Sequence, residues 1–487
     1  MEEVLKKSGL QIGELIKSKK ISVEEVFQIH SQLISRFNPV LNAVVENNRD
    51  RGLAKAKKLD NELKKHDLKS KPYYGVPYTC KEMISVTGFH RTGGNHYHKD
   101  DVADETGTCV ERVDAEDMVM LGTTNVPEFG FWFETKNTIY GRTKNPYNEK
   151  KTSGGSSGGE GSIIGLGASP IGLGSDIGGS IRIPAFFCGI FGHKPSYKLV
   201  PLTGHFPNSK SKLADLNESE YPLTTIGPMV RKAEDLLPIL KIISGADSID
   251  KQAVNNHTEL LNKKPVLKKV YVLADPQIHG TTRTNNDVGK AVENAAKYFE
   301  QLGHPVIEIK SGFFRDALML WSSRLSGSNR ASFGELISPN KTINPVEELS
   351  KLILGKSNHT LPAFILSQLD GRVHDSESVE RNQEKLRLFK SEINQLLGEH
   401  AVLLFPTQPR SAPYHNQLFL SPFDFIYAGI FNALEVPVTQ VPMGLDSSNM
   451  PIGVQVVGAW GNDVLTIKVA NELESAFGGW QPPEFFT

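Results

Sequence analysis

The sequence predicts an α/β protein built on one large mixed β-sheet covered by helices on both faces. Three observations predict it. Short apolar runs such as Val270–Ala274 and Ala401–Phe405 alternate with long amphipathic, charged segments such as Asn286–Leu302 and Glu377–Leu397, the order expected when helices connect strands across a sheet. The 487 residues contain no internal repeat and no low-complexity linker, which favours one domain over the several that length alone allows. A hydrophobic content of 39 %, with 43 Gly and 28 Pro, describes a globular chain with a large core and many turns.

The elements follow in order. Ser22 and Glu25 have capping-box spacing ahead of Val26, Ile29, Leu33 and Ile34, which recur at helical intervals. A charged, Leu/Ala-rich helix is expected over Arg49–Lys65, and Pro72 to Pro77 breaks it. Tyr78–Ile84 reads as a short strand with Lys81 inside it, and Met118–Asn125 as a strand running into a loop. The aromatic cluster Phe129, Phe131, Trp132 and Phe133 comes next, and either an apolar pocket or core packing explains it. Ala168–Gly174 reads as a strand, and Ile181–Phe187 opens a helix in which Pro184 is tolerated only in the first turn. Residues 209–221 and 245–264 are polar connectors. Val270–Ala274, Val306–Ile309, Ala401–Phe405, Thr439–Pro442 and Gly453–Gly458 are strands; Asn286–Leu302, Glu377–Leu397 and Asp463–Phe477 are helices; residues 311–372 are mostly helical.

Composition excludes several function classes. With 54 basic and 55 acidic residues the net charge is −1, so nothing draws the chain to nucleic acid. The three cysteines, Cys80, Cys109 and Cys188, have no C-x-x-C spacing and point to a reduced, cytoplasmic setting. No run of about 18 apolar residues forms a transmembrane segment, and the first residues lack a signal-peptide core. His96 and His98 have no third ligand at suitable spacing, so no metal is expected. Gly355-Lys356-Ser357 ends like a phosphate-binding loop, but Ser350 stands where that loop needs glycine, and Gly172-Leu173-Gly174 fails the dinucleotide fingerprint. No cofactor is expected.

The chemistry concentrates in residues 152–195. Two glycine-rich loops carry candidate nucleophiles: Gly154-Gly155-Ser156-Ser157-Gly158-Gly159, and Ser175-Asp176-Ile177-Gly178-Gly179-Ser180-Ile181-Arg182. Glycines ahead of Ser180 let backbone N–H groups approach a reacting carbonyl with no Cβ in the way. Gly154 to Gly158 also fits the nucleophile elbow of an α/β-hydrolase lipase or esterase, but that elbow follows a buried strand, and Asn145 to Lys151 is polar and broken by proline. Asp176 and Arg182 read as a structural ion pair fixing the second loop.

The blocks Gly154–Gly161, Gly174–Pro184 and Cys188–Pro195 resemble the signature of the amidase signature family, serine hydrolases with a Ser-Ser-Lys triad. Ile177, Ile183 and Gly192-His193-Lys194-Pro195 are most similar to its fatty-acid amide hydrolase 2 branch. The resemblance implies the amidase signature fold over residues 1–487, with a helical part at 1–70, a catalytic core at 71–200 and a helical insertion on the substrate side at 311–400. It implies hydrolysis of a carboxylic-acid amide with an apolar or fatty acyl group through an acyl-enzyme on Ser180, with Ser156 as the bridging serine and Lys81 as the base. It places the oxyanion hole at the N–H groups of Ile177, Gly178, Gly179 and Ser180, and Gly130-Phe131 beside the substrate chain. A small-molecule amide is the expected partner, and a homodimer is compatible with the family. Lys81 accepts a proton only when neutral, so its pKa must fall well below the ordinary ~10.4 through loss of water. The alternative is the glutamine-hydrolysing subunit of a tRNA-dependent amidotransferase. Those subunits carry Thr and Gln where this chain has Ile177 and Ile183, which favours a stand-alone hydrolase.

Overall fold

The computed structural model describes residues 2–63, 70–207, 223–326, 332–339, 343–369 and 376–484. Its strands are β1 (Val44–Asn47), β2 (Pro77–Lys81), β3 (Val119–Thr124), β4 (Lys136–Asn137), β5 (Gly141–Arg142), β6 (Ile171–Asp176), β7 (Phe191–Lys194), β8 (Thr225–Val230), β9 (Lys269–Val272), β10 (Val306–Glu308), β11 (Ala401–Pro406), β12 (Val438–Leu445) and β13 (Pro451–Val457). Eleven of them form one sheet in the order β1-β3-β2-β6-β8-β7-β12-β13-β11-β9-β10, and β4 pairs with β5 separately. The sheet is mixed: β2 runs parallel to both β3 and β6, whereas β6, β7, β12 and β11 each take antiparallel neighbours.

Helices cover both faces, as the fully buried strands require. Every residue of β2, β3, β6, β8, β11 and β13 is buried, which in a parallel or mixed sheet means apolar layers above and below. Along β11 the alternation is visible directly: Val402 and Leu404 join one apolar cluster, Leu403 and Phe405 the other. The first cluster includes Phe27, Ile239, Phe299 and Leu465 from four helices, the second Phe314, Ile393, Ile430 and Phe431.

Helix Val23–Leu41 starts at Ser22 with both capping-box bonds to Glu25 in place. Helix Gly9–Lys17 lies against the Pro72 turn, and a Cβ on Gly13 would stand 2.1 Å from the Pro72 carbonyl oxygen. Asp235, from the far side of the chain, accepts from Gly9 N (2.7 Å) and Leu10 N (2.9 Å), so the free N–H groups of that helix are satisfied from outside it.

Several elements differ from the sequence expectation. The strand expected over Tyr78–Ile84 ends at Lys81, and the chain turns there through Ile84 N to Lys81 O (2.8 Å). The connector at 245–264 contains a short helix, His257–Leu261. Strands β1, β7 and β8 and helices Thr108–Ala115, Gly158–Gly165 and Leu236–Ile243 were not anticipated. The polar connector at 209–221 lies outside the described residues. Within 311–400 the described chain is helical at Ala317–Ser326, Phe333–Ile337, Pro345–Ile353, Leu361–Leu369 and Ser376–Leu397.

Candidate active site

The site forms where β2 and β6, adjacent parallel strands, reach the same edge. Lys81 is the last residue of β2 and is 1 % exposed. Its Nζ donates to Ser156 Oγ (2.7 Å) and Ser175 Oγ (2.9 Å), with Ser175 O at 3.4 Å. Burial pulls its pKa down to about 7, against the opposing pull of Asp176, Glu160 and Glu82. Burial thus favours the neutral amine, the form a general base needs.

Ser156 sits in the loop that opens helix Gly158–Gly165 and follows a cis Gly155–Ser156 bond. The glycines of this loop have individual reasons. Gly154 adopts φ +83°, and a Cβ on Gly158 would meet Thr135 Oγ1 at 2.2 Å. A Cβ on Gly155 would stand 2.7 Å from Trp132 O, so the loop is pressed onto residues 132–135.

β6 delivers the second loop. Asp176, its last residue, accepts from Gly179 N (2.7 Å), Ile181 N (3.0 Å), and Arg182 Nε (3.1 Å) and Nη2 (3.0 Å). Burial alone would raise the carboxyl pKa, but Arg182 and the two backbone donors hold it well below the usual range. Arg182 is itself buried and reaches Ala428 O, Gln455 Oε1 and Asn432 Oδ1 at 2.8, 3.2 and 2.6 Å. The pair therefore ties the loop to helix Ile426–Ala433 and to β13. Ser180, 8 % exposed, stands on this frame, and its carbonyl accepts from Ser157 N (3.1 Å), joining the two serine loops.

Of the four N–H groups expected to form the oxyanion hole, that of Gly179 donates to Asp176 Oδ1, so Ile177, Gly178 and Ser180 are the donors to consider. Above Gly178 lie Trp321 and Phe425, the nearest atoms 3.3 and 3.4 Å from where a Cβ would be, and Trp321 Nε1 donates to Ile177 O (3.0 Å). Ile183 does not face this space: it is buried, and its Cδ1 fills the room a Gly179 Cβ would need.

Gly130, in a left-handed turn at φ +72°, comes against Ser156, where a Cβ would stand 3.2 Å from Oγ and 3.3 Å from Met83 Sδ. The aromatic cluster divides. Phe129 and Phe133 are buried in two separate apolar clusters, while Phe131 and Trp132 line a cavity of about 530 Å³ together with Leu349, Leu352, Ile353 and Phe419. Core packing thus accounts for Phe129 and Phe133, while Phe131 and Trp132 pack on the same clusters and border the cavity.

Sequence reasoning missed Ser175, Trp321, Phe425 and Glu160. Ser175 lies inside the second glycine-rich loop with nothing to mark it as a partner of Lys81. Glu160 accepts from Thr79 Oγ1 (2.6 Å) and Thr124 Oγ1 (2.9 Å), and burial pushes its pKa up to about 8. Trp321 and Phe425 had no local signal. His96 and His98 lie in a short 3-10 helix, and no group of three or more metal-capable side chains exists among the described residues.

Comparisons with known proteins supply the family. The amidase family model matches residues 25–467. The chain is 38 % identical to fatty-acid amide hydrolase 2-B of Danio rerio, over 98 % of this chain and 90 % of that protein. It is 28 % identical to a subunit of the glutamyl-tRNA(Gln) amidotransferase of Sulfurihydrogenibium sp., over 97 % and 98 % of the two chains. Its fold matches the structure of 6-aminohexanoate cyclic dimer hydrolase with a TM-score of 0.79 at 23 % identity, covering 99 % of each chain. With its large mixed sheet and its signature residues gathered at one strand edge, the chain belongs to the amidase family and is an amide-hydrolysing enzyme.

Proposed function

We propose that the enzyme cleaves amides of an apolar acyl group through an acyl-enzyme on Ser180. The observation that carries this reading is the buried Lys81 amine, drawn down to about 7 and bonded to Ser156 Oγ at 2.7 Å. In the proposed sequence Ser180 Oγ attacks the carbonyl carbon, its proton passes to Ser156, and Ser156 gives its own to neutral Lys81. The carbonyl oxygen takes the negative charge, which the N–H groups of Ile177, Gly178 and Ser180 stabilise. The proton returns along the same path to the leaving nitrogen as the C–N bond breaks. Water then hydrolyses the ester by the reverse relay.

The cavity walls support the apolar acyl group. Phe131, Trp132, Leu349, Leu352, Ile353 and Phe419 give the cavity an apolar surface on which a hydrocarbon chain can lie, although Glu134, Lys136 and His359 also border it. The fatty-acid amide hydrolase 2 relative supports the same assignment. No helix among the described residues is long and apolar enough to cross a membrane, and the three free, buried cysteines suit a reducing, cytoplasmic compartment. A homodimer stays compatible with the family and is settled by sedimentation.

Labelling with a fluorophosphonate tests the roles of the serines. Ser180→Ala abolishes turnover and labelling, and Ser156→Ala slows both by about 10²-fold or more while the adduct stays on Ser180. An adduct on Ser156 overturns the assignment, and glutamine hydrolysis that depends on a second protein moves the enzyme to the amidotransferase class.

A further inference from the structure

The segment from Glu128 to Glu134 crosses the active site like a strap, and its first residue makes contacts that the proposed chemistry does not use. Glu128 is buried at the start of the turn Glu128–Gly130. Its Oε1 accepts from Asn95 Nδ2 (2.8 Å) and lies 2.8 Å from His359 Nδ1; its Oε2 accepts from Thr360 N (2.6 Å) and Thr360 Oγ1 (2.9 Å). Two of these partners, His359 and Thr360, immediately precede helix Leu361–Leu369, which with helix Pro345–Ile353 supplies the far wall of the 530 Å³ cavity. Asn95 also donates to Ile337 O (2.9 Å), at the end of helix Phe333–Ile337, whose Phe333 ring meets Phe131 at 4.5 Å between centroids.

The backbone beside Glu128 is unusual in a way that needs such anchoring. Phe129 and Gly130 are both left-handed, at φ +52° and +72°, and a bulky residue in that region is held there only by its surroundings. Phe129 N donates to Gly93 O (2.7 Å), and Phe131 N closes the turn onto Glu128 O (3.1 Å). One face of this turn touches Ser156. The Glu128 carboxylate therefore connects the wall next to the bridging serine with the wall that would receive the acyl chain.

We infer that Glu128 is a positioning residue for acyl recognition: its carboxylate fixes the Gly130-Phe131 turn to the 359–369 segment and so sets the width of the acyl cavity without touching the reacting atoms. The inference rests on the apolar-acyl reading of this site. A carboxylate that merely caps a helix would affect every substrate alike. A positioning carboxylate affects only those substrates long enough to reach the cavity.

Glu128→Gln sets an amide NH₂ against a donor in either orientation, Thr360 N–H or Asn95 Nδ2, and so breaks the clamp at nearly constant volume. With dodecanoyl and butyryl amides of the same amine, the variant is expected to show KM raised about tenfold for the long substrate with kcat within about twofold, and kcat/KM for the short one unchanged within about twofold. Fluorophosphonate labelling of Ser180 should proceed at the wild-type rate. Thr360→Val removes one donor from the other side of the clamp and serves if Glu128→Gln folds poorly; its long-chain KM should rise about two- to threefold. Equal losses for both substrates, or no change in either, overturn the inference while leaving the apolar-acyl reading intact. A wild-type enzyme indifferent to acyl length instead overturns that reading, and with it the inference.

Discussion

A lysine at the end of a central strand has given up its hydration, and Lys81 shows what replaces it. Two serine hydroxyls and a carbonyl surround the amine, none of them charged. The protonated form is disfavoured by burial, which brings the pKa to about 7. Activity should therefore rise with pH through a single ionisation near 7 and level off above it, and Lys81→Ala should erase that limb; kcat/KM against pH for a matched amide and ester measures both. An unchanged profile would remove Lys81 from the mechanism. The stability consequence has the opposite beneficiary. Between about 7 and the free-lysine value the unfolded chain binds a proton the folded one does not, so stability rises with pH across that window and the full penalty is present below it. Lys81→Met is expected to be inactive and, at pH 6, about 1–3 kcal/mol more stable, read from denaturant unfolding. Gly130 gives a second test at this scale. Gly130→Ala places a methyl 3.2 Å from Ser156 Oγ on a left-handed backbone, and should cost about 1–2 kcal/mol of stability and about tenfold or more in kcat/KM. In sequence, Ser156 and Ser180 declared themselves through their glycines, whereas Lys81 did not. Nothing near it distinguishes a desolvated lysine from a solvated one, because the groups that bury it come from β3, β6 and the 156 loop.

At the scale of elements, the loop from β6 to helix Arg182–Phe187 is held by one buried ion pair. Asp176→Asn leaves Arg182 with a buried, uncompensated charge and should cost about 3–5 kcal/mol, visible as a large fall in the denaturation midpoint. Because Asp176 is held well below its ordinary pKa, its contribution is fully present above about pH 4 and is lost progressively as pH falls from there through the lowered value, so the stability gap between wild type and Asp176→Asn should narrow below pH 4. The elements legible in sequence were those with regular periodicity: helix Asn286–Gln301, helix Asp463–Phe477, and strands β9, β11 and β13. The missed ones have identifiable causes. Helix Gly158–Gly165 contains Gly158, Gly159, Gly161 and Gly165 and is buried on every side, so neither propensity nor amphipathic spacing marks it. Strand β8 carries Gly227-Pro228 in the middle of a sheet, which argues against a central strand. The structure accommodates the proline because the β7 ladder stops at Gly192 opposite Met229, so Pro228 owes no hydrogen bond on that side.

Over the whole molecule, Asp235 joins the N-terminal helix to the body. It receives Gly9 N, Leu10 N and the Tyr73 hydroxyl (3.1 Å), and burial pushes its pKa up to about 7. Asp235→Ala should cost about 1–3 kcal/mol through the orphaned donors and expose the Gly9–Lys17 segment to proteolysis with little change in kcat. The order of the sheet has a larger effect. One continuous stretch, residues 44–230, supplies β1, β3, β2, β6, β8 and β7; a later one, residues 269–457, supplies the other five strands. Lys81, Ser156, Ser175 and Ser180 all belong to the earlier stretch, whereas Ala428, Asn432 and Gln455, which anchor Arg182 behind Ser180, belong to the later one. A chain emerging from the ribosome thus carries Ser180 long before it carries the residues that brace Arg182. The enzyme is therefore expected to be inactive until the later stretch has docked. Split between Lys263 and Lys264, in the non-helical run after helix His257–Leu261, the two pieces should be inert alone and recover amide hydrolysis when co-expressed. Activity in the first piece by itself would show that the braces are dispensable.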